Sequence, residues 1–225
     1  RTRLDLRSDA FEENRASMLE QLQVVRDLEA VVRGHAERAR PRFDKRGQLL
    51  PRERVDRLLD PGSPFVELST LAGLRMHDDD GKKQVAGGGN IVGIGFVSGV
   101  RVLVNASDAA IKGGSVTPMG LRKSLRAQEI ALREKLPCIN LVESGGANLL
   151  YQSEIFVDGG RVFANLARLS AAGIPQLTVV HGSSTAGGAY LPGLSDYVVM
   201  VEDRAKVFLA GPPLVKAALG EDAND

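Results

Sequence analysis

Two short segments carry residue types that can do chemistry: Glu143-Ser144-Gly145-Gly146-Ala147 and Ser184-Thr185-Ala186-Gly187-Gly188-Ala189. Each follows a short apolar run, residues 138–142 and 176–181, that reads as a buried strand. Paired glycines let a backbone approach a ligand closely and adopt conformations that a Cβ forbids. Amide N–H groups at such a turn, near a helix start, point outward with partial positive charge. Two of them aimed at one point form an oxyanion hole, where removing one donor costs about 2.7–4 kcal/mol of transition-state stabilisation. The same glycines also permit tight packing of helix on strand, and the residues alone leave both readings open.

Other chemistries fit less well. No G-x-G-x-x-G opens a helix after a strand, and no G-x-x-x-x-G-K-[ST] occurs, so dinucleotide and ATP sites are not expected. Ser144, Ser183 and Ser184 lie in glycine-rich turns, but a nucleophile needs a base within reach. Only His35, His77 and His181 exist, and His181, at a strand end, reads as a packing histidine. Gly182-Ser183-Ser184-Thr185-Ala186 fails G-x-S-x-G at its last position. No His/Cys/Asp/Glu set has metal-ligand spacing, so no metal is expected.

The elements that position these turns follow an α/β rhythm. Ser8 and Asp9 can cap a helix, and Met18, Leu22, Val25 and Val32 recur at helical spacing, which predicts one or two amphipathic helices over 9–39 that Pro41 ends. Residues 33–57 carry a local basic excess, read either as a solvated helix face or as a contact for phosphates or a partner. Leu58-Leu59-Asp60-Pro61-Gly62 is a helix end and turn, and Asp78-Asp79-Asp80-Gly81-Lys82-Lys83 reads as an exposed loop. Residues 91–96 and 100–104 flank Ser98-Gly99, a hairpin signal. Thr117-Pro118 is an N-cap with proline at the first helical position. Leu121, Leu125, Gln128 and Leu132 share a face of the helix that follows, and Leu136-Pro137 stops it. A helix over 160–172 and strands over 197–201 and 206–209 complete the alternation of strand, glycine turn and helix.

The bulk numbers set limits. With 225 residues, 43% hydrophobic and 25% charged, the chain can build a full core. A net charge of +1 gives no reason to expect nucleic acid. No apolar run is long enough to span a membrane, and the charged first 20 residues hold no secretory signal. The single cysteine, Cys138, allows no internal disulfide, so cytoplasm (or the mitochondrial matrix, if eukaryotic) is the simplest location. The chain starts at Arg1 and stops in the polar run Gly220-Glu221-Asp222-Ala223-Asn224-Asp225, so both ends are expected to be cut.

Several segments, in order, resemble the carboxyltransferase (β) subunits of biotin-dependent acyl-CoA carboxylases. They are residues 52–68 (RERVDRLLDPGSPFVEL), Asn105-Ala106-Ser107-Asp108 through Lys112-Gly113-Gly114, residues 125–131 (LRAQEIA) and the Glu143 turn. The Ser184 turn with Tyr190 and residues 208–216 (FLAGPPLVK) complete them, so that the resemblance spans about 45–221. It is closest to the methylcrotonyl-CoA, geranyl-CoA and broad-range acyl-CoA branch. The resemblance implies a crotonase-like α/β fold, a spiral of ββα units over 45–225, preceded by a helical segment over 1–44. It implies transfer of a carboxyl group from carboxybiotin to a branched, unsaturated or medium-chain acyl-CoA through an enolate held by backbone amides. Biotin would come on a biotin carboxylase/biotin carboxyl carrier α subunit, and the β subunits would form a homo-oligomer, hexameric in the family. Carried over by position, Gly145 and Gly146 would face the acyl-CoA oxyanion. Ala106, Asp108 and Lys112 would lie near the CoA adenine and ribose, Gly187 and Gly188 beside the active site, and Arg52 and Arg54 within reach of phosphate. Ser115-Val116 replaces an aromatic pair, and Asn148-Leu149-Leu150-Tyr151-Gln152 departs from the methylcrotonyl pattern, which would admit a longer or different acyl group. The family's second half is expected to be missing. The alternatives are another crotonase-fold acyl-CoA enzyme (hydratase, isomerase or decarboxylase), with Glu143 or Glu154 as its carboxylate, and a non-catalytic CoA-binding module.

Overall fold

The computed structural model describes residues 4–80 and 85–222. Gly81, Lys82 and Lys83 of the acidic loop and the last three residues of the polar tail lie outside them.

The hairpin expected around Ser98-Gly99 starts the sheet. Both residues have positive φ, 52° and 75°, the type I′ geometry whose twist suits paired strands. It joins β2 (Asn90–Val97) to β3 (Val100–Ser107) in antiparallel register, and a short β1 (Val66–Glu67) flanks β2. From β3 onward pairing is parallel: β4 (Cys138–Ser144), β5 (Gln176–Thr185) and β6 (Tyr197–Met200), with β7 (Lys206–Phe208) against the far end of β5. Parallel neighbours need long crossovers. Here α4 (Pro118–Glu134) links β3 to β4 and α5 (Gln152–Ala171) links β4 to β5. The result is the expected crotonase-like α/β arrangement.

Side chains alternate across each strand. Leu103 and Cys138 pack with Ala127 and Ala131 of α4 and Leu169 of α5 on one face. Val102, Val104, Ile139 and Leu141 pack on the other, against Val55 of α3 (Pro51–Leu58). Fully buried Val or Leu side chains of this kind contribute about 1.5–3 kcal/mol each. The cap of α4 is as read: Thr117 Oγ1 accepts from the Gly120 N–H at 3.1 Å, and Pro118 follows. Its end is a left-handed Lys135.

Four expectations change. Pro41 does not end the N-terminal helices: α1 (Asp9–Arg33) breaks at Gly34, and α2 (His35–Lys45) carries Pro41 inside it. The anchor is Phe43, 3% exposed and packed with Ala36, Leu50 and Ala109, which offsets the bond proline forfeits. The apolar stripe of α1 exists, but Met18, Leu22 and Val25 are exposed and only Val32 is buried. In the acidic loop, Asp79 is buried and accepts the Arg75 N–H at 2.9 Å. Finally, α5 starts at Gln152, eight residues before the expected start, because packing on α4 overrides the low helix propensity of Gly159-Gly160. The chain closes with α6 (Tyr190–Gly193) and α7 (Pro212–Leu219). Among the described residues no helix is long and apolar enough to cross a membrane.

Candidate active site

β4 and β5 are parallel neighbours in which Ser144 pairs with Ser184, so their two glycine turns leave the sheet side by side. Gly146 has φ +86°, a left-handed conformation that a side chain resists. A Cβ on it would lie 3.7 Å from the Thr185 carbonyl oxygen. At Gly188 a Cβ would lie 3.0 Å from the Ser144 Cβ. The turns are thus in contact. A third turn closes on them: Gly114, φ +75°, sits so tightly that a Cβ would fall 2.2 Å from the Glu143 carbonyl oxygen.

The amides divide unequally. Gly146 is buried, and its N–H donates to Ser144 Oγ at 3.2 Å. Its carbonyl accepts the Val116 N–H at 2.8 Å. The expectation that Gly145 and Gly146 both present free donors is therefore corrected: the serine hydroxyl beside Gly146 consumes one of them. Gly145 is exposed, and among the described residues its N–H has no acceptor.

Beside the turns a cavity of about 140 Å³ runs between the sheet and the α4–α5 layer. Ser144, Gly187 and Gly188 line it together with the apolar Leu103, Leu166 and Leu169, and neither Gly145 nor Gly146 does. Ser115 and Val116 also line it. Among the described residues that form its wall, only Cys138 is ionisable, and burial pushes that thiol up to about 12.

The remaining expected site residues sit farther back. Ala106, 1% exposed, packs in the core and can shape a ligand site only from behind. Asp108 is buried and accepts the Ala110 N–H at 3.1 Å, which closes a turn, and burial raises its pKa. Lys112 has φ +47°, and its Nζ pairs with Asp78, which also accepts from the Tyr151 hydroxyl at 2.8 Å. The Lys112 contact, then the Tyr151 bond, hold the Asp78 carboxyl below its usual range. Neither candidate phosphate arginine is free. Arg52 makes a bidentate pair with Glu67 at 2.8 and 2.9 Å, and Arg54 pairs with Glu143 at 3.3 Å. Both carboxylates come from distant strands, which the local sequence does not reveal.

Compared with known families, residues 42–225 match the carboxyl transferase domain. The chain belongs to the carboxyl transferase domain family. This carboxyl transferase domain is 56% identical over 197 residues to the biotin-dependent 3-methylcrotonyl-coenzyme A carboxylase beta1 subunit of Mycobacterium tuberculosis, covering 86% of the chain and 36% of that protein. Among solved structures it resembles the beta subunit of P. aeruginosa geranyl-CoA carboxylase, with a TM-score of 0.87 and 55% identity over 100% of the chain and 44% of that one. It also resembles the transcarboxylase 12S hexamer, with a TM-score of 0.78 and 28% identity over 90% of the chain and 39% of that one. The chain thus spans about two fifths of the length of these relatives.

The domain also holds a charged cluster that sequence reasoning did not assemble. Glu143 accepts from Arg54 and Gln48, and His181 approaches it. Burial acts against the charged Glu143 carboxyl, but His181, Arg54 and Gln48 outweigh it and hold its pKa below the usual value. Gln48, Arg54 and His181 lie 95, 89 and 38 residues from Glu143 in sequence, so no spacing signal exists.

Proposed function

We propose that this carboxyl transferase domain is the acyl-CoA half of a biotin-dependent carboxylase subunit. It would carry the carboxyl group to the α- or vinylogous γ-carbon of a branched, unsaturated or medium-chain acyl-CoA. The observation that carries the reading is a cavity lined by Ser144 of one glycine turn and by Gly187 and Gly188 of the turn that abuts it, and by no Asp, Glu, His or Lys among the described residues. Such a site has no base of its own, but it can hold an enolate, whose charge on the thioester oxygen is met by backbone dipoles in a water-poor space. The Gly187–Gly188 turn, which lines the cavity, and the exposed Gly145 N–H, one residue beyond the cavity-lining Ser144, would be the donors, Gly146 would shape the turn, and Ala106, Asp108 and Lys112 the CoA end. Carboxybiotin, presented by a biotin carboxylase/carrier α subunit, would supply the CO₂, and the biotin left when its N–C bond breaks would accept the proton. The apolar depth of the cavity and the small Ser115-Val116 pair suit an acyl group longer than a methyl-branched one. We assign residues 1–44 to a helical lead-in, the whole subunit to a hexamer like transcarboxylase 12S, and its location to cytoplasm or mitochondrial matrix.

A hydratase or isomerase would need a carboxylate over the substrate. Neither candidate lines the cavity: Glu143 is tied to Arg54, and Glu154 pairs with His77 at 3.2 Å. The deciding experiment joins the full-length protein to its biotinylated partner and a panel of CoA esters. Avidin-sensitive bicarbonate incorporation is expected. Hydration without biotin would overturn the reading, and failure to bind any CoA ester would reduce the domain to a packing module.

A further inference from the structure

The β4–β5 ladder contains an irregularity immediately behind the two turns. Val142 pairs with Val180, but the next pair is Ser144 with Ser184, so Glu143 alone faces residues 181–183. Bulges of this kind re-aim a chain and cluster next to active sites. Here β5 takes up two extra residues, which brings Ser184 level with Ser144 and sets the two turns side by side.

Glu143 fills the bulge. The residues two and four places earlier on its face, Leu141 and Ile139, are core hydrophobics, so a carboxylate here needs a reason. The structure makes room for it: a Cβ on Gly182 would lie 2.7 Å from Glu143 Cγ and 2.8 Å from Cδ. It also holds it from three directions. Arg54 Nη1 of α3 donates to Oε2 at 3.3 Å and Gln48 Nε2 to Oε1 at 3.4 Å. His181 Nδ1 of β5 lies 3.5 Å from Oε2, an ion-pair contact, and among the described residues neither nitrogen of that ring, 8% exposed, has another partner that competes for it. The side chains of Arg54 and Glu143 are 12% and 14% exposed. A buried ion pair is weak as a source of stability and better suited to selecting one conformation. The Glu143 backbone is fixed as well, since Gly114 presses on its carbonyl. Two residues on is the Gly145 amide.

We propose that Glu143 is a positioning residue, whose carboxylate, clamped by Arg54, Gln48 and His181 inside the bulge, sets the register between the Gly145 turn and the Gly187–Gly188 turn. This rests on the carboxyl-transfer reading above. Glu143 touches no substrate and acts only through the Ser144–Gly145 backbone. The N-terminal residues 48–54 therefore reach the reacting centre through it.

The test uses the full-length protein with its biotinylated partner and the Glu143→Gln variant, with Gln48→Leu as a milder loosening. Three quantities are read: kcat, the Kd for the CoA ester, and hydrogen exchange of the amides in residues 144–148 and 183–189. A displaced donor impairs the transition state more than ground-state binding. Glu143→Gln is expected to lower kcat by about 10-fold or more, leave Kd within about threefold, and speed exchange in both turns. Gln48→Leu shifts kcat and exchange the same way by less. Because Glu143 and Arg54 act as one unit, Arg54→Met combined with Glu143→Gln costs no more than either alone. Unchanged exchange, unchanged kcat, or equal losses in kcat and binding in the folded variants would each overturn the proposal. If the wild-type protein carboxylates nothing, the carboxyl-transfer reading fails, and exchange in the two turns then decides the clamp by itself.

Discussion

Lys123 shows how one residue can be isolated from its apparent chemistry. It lies in α4, 4% exposed, and donates to the Gly87 and Asn90 carbonyls at 3.1 and 2.8 Å. Burial pushes its pKa down to about 8. Unfolded, the same amine titrates near 10.4, so between these values the unfolded chain binds more protons. Stability should therefore rise with pH across that window, by at most about 3 kcal/mol. The neutral amine still has two hydrogens for its two carbonyls. Thermal denaturation at pH 7.5 and 9.5 checks this, and Lys123→Met should abolish the rise. Two glycines with nearly the same backbone give a second contrast. Gly62 (φ +73°) has nothing within 4 Å of an added Cβ, whereas Gly114 (φ +75°) would clash with Glu143. Gly62→Ala should cost about 1–2 kcal/mol, the left-handed penalty alone. Gly114→Ala should cost about 4 kcal/mol or more, seen as a much larger drop in Tm.

Among the elements, α4 and β5 illustrate what local signals can and cannot convey. Thr117-Pro118 marked the start of α4 because capping is local physics, and the structure adds that Thr117 Oγ1 also donates to the Gly88 carbonyl at 3.0 Å. One hydroxyl thus joins the helix start to the glycine turn before β2. Thr117→Ala should cost about 1–2 kcal/mol through the lost cap, with Thr117→Ser recovering most of it in the same melting assay. β5 was legible only to His181, since Gly182-Ser183-Ser184 looks like a turn. The strand continues to Thr185 because β7 pairs with its far end, a partner more than 20 residues away. Length and register there come from the sheet, and so does the bulge that holds Glu143.

At the scale of the molecule, the described chain leaves much apolar surface bare. β6 is exposed on both faces, with Val199 at 58% on one and Met200 at 52% on the other, and Leu209, Leu214 and Leu219 are likewise uncovered. Most of the apolar stripe of α1 is also bare. Patches of this extent drive association. The 225-residue segment expressed alone should therefore self-associate in a concentration-dependent way by light scattering or size-exclusion chromatography. Val199→Lys should shift it toward monomer, and a monodisperse monomer at high concentration would contradict the expectation.

The amino-acid order by itself determined the α/β alternation, the Ser98-Gly99 hairpin, the α4 cap and the two glycine turns, because periodicity, capping and φ preference act over a few residues. It also carried the family resemblance, which the carboxyl transferase domain match bears out. Only the tertiary structure decided that Ser144 occupies the Gly146 amide and leaves Gly145 exposed, and that Arg52, Arg54 and Lys112 are taken by carboxylates. It alone placed Glu143 in a bulge. Those outcomes depend on which distant groups reach each other first within a close-packed interior, and no short-range rule encodes that.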